Sequence, residues 1–182
     1  MENMEKKQLP EKEKPPFLYH GSLHGEIEEF EPRVSKGSGE KYGELIYASP
    51  DLATASIFMA EVKGEWSAGR LGDISYVLIP VPRDEFIEND KGGHIYVLPS
   101  DTFSTEAGRG MGEYEWASTE RVKPVKKLEY HSALDAMLEN GIQVYFIDKE
   151  THKQIKESKD HGYSILKGLN SENKQRGINV KF

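Results

Sequence analysis

The chain has 182 residues, of which 36% are hydrophobic and 30% charged, enough for one core and too few for two domains of ordinary size. It contains no cysteine, which excludes a disulfide framework, thiolate catalysis and sulfur-ligated zinc and makes a cytoplasmic protein the plainest expectation. The net charge of −7, from 24 Lys plus Arg against 31 Asp plus Glu, gives an averaged field that repels nucleic acid. No apolar run approaches the roughly 18 residues of a membrane span, and the charged start of the chain is unlike a secretory signal, so no membrane partner is expected.

Residues 1–16, rich in Glu and Lys and ending in Pro15-Pro16, read as a disordered charged tail. The domain is expected over 17–150, with 151–182 a polar extension packed on it or trailing it. Phe17-Leu18-Tyr19 reads as a short buried strand, Leu23 to Phe30 as a weak helix or turn, and the Gly/Ser/Lys-rich run from Pro32 to Gly43 as a loop. Glu44 to Ala48 reads as a strand. Ser49-Pro50-Asp51 then predicts a helix start with Ser49 as the cap, and Leu52, Ala55, Phe58, Met59 and Val62 share one helical face up to Lys63-Gly64.

Strand character returns at Ile74 to Val81, His94 to Leu98, Tyr114 to Ala117 and Pro124 to Tyr130, each bounded by turn formers. A short helix over 131–138 is closed by Asn140-Gly141, Ile142 to Ile147 is a further strand, and a lysine-rich helix runs through Ser158. No repeat interrupts this order, and the element pattern is α+β.

Six histidines occur, at 20, 24, 94, 131, 152 and 161, and none has metal-ligand spacing; Gly21-Ser22 breaks any helix that would join His20 to His24. The glycines at 37, 39 and 43 precede a strand, the reverse of a dinucleotide-binding turn or a phosphate loop. Three pieces stand out: Tyr19-His20-Gly21-Ser22, Ile46-Tyr47-Ala48-Ser49, and Glu113-Tyr114-Glu115-Trp116. The first sets an imidazole at a strand end beside backbone that a ligand can approach. In the third, Glu113 and Glu115 share one face of an expected strand, which is either a site or the solvated side of an edge.

Together these pieces resemble the ADP-ribosyltransferase fold, in the branch with the His-Tyr-Glu signature shared by diphtheria-type toxins and poly(ADP-ribose) polymerases. The resemblance spans Phe17 to about Tyr130. It implies a split β-sandwich of two antiparallel-rich sheets with short flanking helices. It also implies NAD as substrate, no metal, and catalytic residues Glu115, Glu113, His20 and Tyr47. By that resemblance His20 bonds the adenosine ribose, the Gly21 backbone pairs with the nicotinamide amide with help from Ser22, and Tyr47 lines the nicotinamide pocket. Phe58 falls at the second stacking position, a tyrosine in the family, and Ala55 at a family serine, with Ser56 adjacent. Arg33, Lys36 and Lys41 are candidates for the phosphates, and the 108–112 segment around Arg109 for acceptor recognition.

Cleavage of the nicotinamide glycosidic bond develops oxocarbenium charge on the ribose, which a carboxylate held against it stabilises, while the already cationic leaving group needs no acid. Glu115 is the choice for the ribose. Glu113 is then either an acceptor-side helper or, with the register shifted by two, the catalytic residue itself. The expected function is transfer of ADP-ribose to a protein or other macromolecular acceptor, in the manner of a toxin-like effector. An NAD glycohydrolase and a non-catalytic nucleotide- or protein-binding module are the alternatives.

Overall fold

The computed structural model describes residues 14–34, 43–62, 66–71, 74–107, 114–160 and 162–175. The rest of the expected tail, most of the Gly-rich loop and the Lys63-Gly64 helix stop lie outside those residues. Among the described residues there are three three-stranded sheets, not the two expected. The first is ordered β1 (Phe17–Ser22), β6 (Gly93–Pro99), β8 (Lys126–Tyr130). The second is β2 (Arg33–Val34), β3 (Glu44–Ala48), β7 (Trp116–Ser118). The third is β4 (Ser67–Leu71), β5 (Ile74–Ile79), β9 (Gln143–Phe146), in which β5 and β9 run parallel and every other pairing in the three sheets is antiparallel.

Neighbouring residues of β1 face opposite sides. Leu18 faces a core with Phe30, Ile46, Ala48, Tyr96, Leu98, Phe103 and Val122, whereas Tyr19 packs on the opposite side with Ala55, Met59 and Ile95. The first and second sheets thus share one core, and a single backbone bridge between Tyr19 and Ser49 joins them. The segment 23–30, which forms no helix, crosses that core. Its path is fixed by the buried Tyr96 hydroxyl, which donates to the His24 carbonyl at 2.9 Å and accepts the Ile27 N–H at 3.2 Å.

Helix α1 (Leu52–Ile57) is shorter than expected and differently capped. Asp51, not Ser49, accepts the Ala53 and Thr54 N–H groups at 3.1 and 3.3 Å. Ser49 is held in the bridge to Tyr19, and its hydroxyl oxygen accepts the Asp51 N–H. Ala55, Ser56 and Ile57 are all buried because the helix lies between two sheets: Ala55 packs with Ile95 of the first, Ile57 with Val77 and Ile79 of the third. A helix covered on two sides does not show a single apolar stripe.

Helix α2 (Arg83–Asn89) follows Pro82 and was not anticipated; nor were β2 and β4. Helix α3 (Ala133–Glu139) lies beside α1 in the same layer, with Ser132 accepting the Asp135 N–H and Asp90 accepting those of Ala133 and Leu134. Gly141 ends it in the left-handed region at φ 82°, as the Asn-Gly pair predicts. Helices α4 (Lys149–Glu157) and α5 (Tyr163–Gln175) cover the far side of the third sheet, where Ile155 and Leu166 are buried with Tyr76, Leu78 and Tyr145. The expected boundary at residue 150 falls inside α4.

Candidate active site at the split between two sheets

The site forms where β1 and β3 part. Tyr19 and Ser49 exchange both backbone hydrogen bonds, at 2.7 and 2.9 Å. Antiparallel pairing alternates, so the residues two along, Gly21 and Tyr47, also turn their N–H and C=O toward each other's strand. That next pair of bonds does not form among the described residues. Instead the Tyr47 carbonyl accepts from His20 Nδ1 at 2.6 Å. The imidazole takes the acceptor that a continued ladder would have given to Gly21, and it leaves the Gly21 N–H and C=O on an open edge facing Tyr47.

The residue at 21 has to be glycine because of α1. A Cβ there would lie 2.0 Å from the Ala55 carbonyl oxygen and 3.2 Å from the Met59 nitrogen. Close approach of the helix backbone brings its end against the same residue whose other backbone groups are open.

Since a carbonyl only accepts, Nδ1 of His20 carries the proton and Nε2 keeps its lone pair. The imidazole pKa is lowered, first by burial and further by the positive charge of Arg33, against which the Tyr47 carbonyl acts to raise it. The ring stands edge-on to Phe30 at 4.7 Å. His20 is therefore a neutral imidazole near pH 7, able to accept a hydroxyl proton at Nε2. Arg33 is exposed on β2, and its positive charge acts on the imidazole.

Glu115 is 7% exposed, which removes the alternative of a solvated edge for this residue. Strand β7 begins only at Trp116, so Glu115 precedes the ladder and does not lie within it. Tyr47 pairs with Ala117 and Ala48 with Trp116, so Glu115 directly precedes the residue paired with Ala48. Glu113, Lys36, Lys41 and the 108–112 segment with Arg109 lie outside the described residues.

The other expected contributors have local contacts of their own. Ser22 is buried, and its hydroxyl oxygen accepts the His24 N–H at 3.1 Å. The fully buried Ser56 donates its hydroxyl to the Ala53 carbonyl at 2.7 Å. Phe58, just past the end of α1, is 48% exposed and stands edge-on to Trp66 at 5.7 Å.

Two residues at this site carry roles that the sequence did not suggest. Arg70 of β4 has its guanidinium carbon 4.2 Å from the centre of the Tyr114 ring and Nη1 3.4 Å from Asp51 Oδ2. Asp51, expected only as part of the helix start, both caps α1 and receives that arginine. The Ser-Ala-Gly-Arg-Leu segment has neither an apolar run nor alternation, so nothing marked it as a strand that presents an arginine.

Among the described residues no group of three or more His, Asp or Glu side chains is placed to hold a metal ion, and no helix is long and apolar enough to cross a membrane. No protein-family model, curated protein or solved structure matches this chain.

Proposed function

We propose that this protein is an NAD-dependent ADP-ribosyltransferase, with a fold similar to the His-Tyr-Glu branch of that family. One observation carries the proposal: the Gly21 N–H and C=O stand on an open strand edge, one donor and one acceptor side by side, next to the neutral His20. A carboxamide such as that of nicotinamide presents the complementary acceptor and donor. His20 Nε2 accepts a ribose hydroxyl, Arg33 supplies positive charge for the pyrophosphate, and Tyr47 walls the nicotinamide.

In the reaction the bond between ribose C1′ and the nicotinamide nitrogen breaks, and the electron pair leaves with nicotinamide as a neutral base. Positive charge passes to the ribose, where the buried Glu115 carboxylate stabilises it, and an acceptor nucleophile adds at C1′ and gives up its proton. Water as acceptor makes the same site an NAD glycohydrolase.

The purified protein incubated with NAD is expected to release nicotinamide, and Glu115→Gln to lower the rate by about 10²-fold or more with little change in NAD affinity. Absence of nicotinamide, or a rate indifferent to Glu115→Gln and His20→Ala, overturns the proposal. The exposed Phe58 ring, edge-on to Trp66, and the Ser56 hydroxyl bonded to Ala53 favour a second reading, a non-catalytic nucleotide-binding module. Saturable NAD binding without release of nicotinamide would establish it.

A further inference from the structure

We propose that Arg70 is a positioning residue for the Glu115 carboxylate, acting through Tyr114 and Asp51; this rests on Glu115 being the ribose-facing carboxylate. The residue before β7 has no ladder to fix it, since the β3 and β7 register begins at Ala48 and Trp116. Beside it, the Tyr114 ring carries a guanidinium stacked at 4.2 Å, one of the side-chain contacts that can hold this lead-in.

The same guanidinium reaches the Asp51 carboxylate, whose oxygens also accept the Ala53 and Thr54 N–H groups and the Thr54 hydroxyl. Arg70 therefore joins three pieces that are distant in sequence: the start of the helix that abuts Gly21, the β4–β5 hairpin of the third sheet, and the lead into β7. The Arg70 and Asp51 side chains are 28% and 31% exposed, so an ion pair alone would be weak. The planar stack on one side and the fixed cap on the other give it direction. Glu115 directly precedes β7, whereas the Gly21 edge lies on β1 against the helix that Asp51 caps, and Arg70 touches a residue next to each.

The test compares Arg70→Ala and Arg70→Lys with wild type in NAD cleavage, together with hydrogen exchange of the 114–117 backbone amides. Displacing a reacting group by about 1 Å costs up to about 10²-fold. Arg70→Ala should accordingly lower kcat about 10- to 100-fold while the NAD KM stays within about threefold, and should speed exchange at 114–117. Arg70→Lys, which keeps the charge and loses the planar stack, should fall between. An unchanged kcat overturns the proposal, as does a raised KM at constant kcat, which would make Arg70 a direct NAD contact. Should Arg70→Ala fail to fold, Tyr114→Leu must reproduce the loss and Tyr114→Phe must not. Failure of the NAD reading itself appears separately, as a wild-type protein that releases no nicotinamide; exchange at 114–117 then decides alone, and no acceleration in Arg70→Ala overturns the positioning role.

Discussion

Replacing Gly21 with alanine isolates the packing half of the site. The added Cβ would sit 2.0 Å from the Ala55 carbonyl oxygen, where ordinary contact begins at 3.4 Å, so α1 has to retreat by about 1.4 Å. It has little room to do so, because Ile57 on its other side is buried against Val77 and Ile79. Overpacking of this kind costs about 1–3 kcal/mol, and a backbone carbonyl as the obstacle puts the expected loss near the upper end, at about 3 kcal/mol. In urea unfolding this lowers the midpoint by about 1–2 M with the slope unchanged. Gly168→Ala in α5 is the control: no atom lies within 4 Å of its Cβ, and the helix should gain about 0.5–1 kcal/mol. A Gly21→Ala protein within about 0.5 kcal/mol of wild type would refute the close helix approach.

Asp90 accepts from the Gly92, Ala133 and Leu134 N–H groups and the Ser132 hydroxyl. Asp90→Ala should therefore cost about 2–4 kcal/mol by losing a helix cap and several donors' partner, measured by urea unfolding. Burial alone would raise the Asp90 pKa, but those hydrogen bonds outweigh it and the net shift is downward. Its contribution is complete above the unfolded carboxylate value near 3.9 and disappears as pH falls through the lower folded value, so Asp90→Ala should flatten the acid limb of stability. For His20 the folded pKa lies below 6.5, and in the window beneath 6.5 the unfolded chain binds the extra proton. Stability there rises with pH, by at most about 1.4 kcal/mol per unit. Comparing urea midpoints at several pH values should show that part of the slope missing in His20→Asn, and an identical slope would contradict the burial assigned to the imidazole.

Much of this architecture was legible because local signals agreed with it. Glu44–Ala48 is a strand with the expected bounds, and the Asn140-Gly141 stop works through a left-handed glycine. Helix α1 was legible, although it ends at Ile57 and not near Val62. The pieces that escaped notice have physical reasons. Strand β4 pairs through its backbone with few apolar side chains to announce it. The cap moved from Ser49 to Asp51 because a tertiary bridge had already engaged the serine. At the site, His20, Gly21, Tyr47 and Glu115 stood out in the sequence, but the open edge between them did not. It follows from pairing parity and from one side chain taking a main-chain acceptor, and both are properties of strands far apart in sequence. Arg70 was invisible for the same reason.

The Gly21 amide is where the account is most directly exposed. In a ¹⁵N-labelled sample that amide should exchange with solvent faster than its neighbours at Tyr19 and His20, one bonded to Ser49 and the other directed into the β6 ladder. On titration with nicotinamide it should show one of the largest shifts in the spectrum, slow its exchange, and lose both responses when NAD already fills the site. A Gly21 amide as protected as its neighbours in the free protein and unmoved by nicotinamide would contradict the open edge and the function built on it.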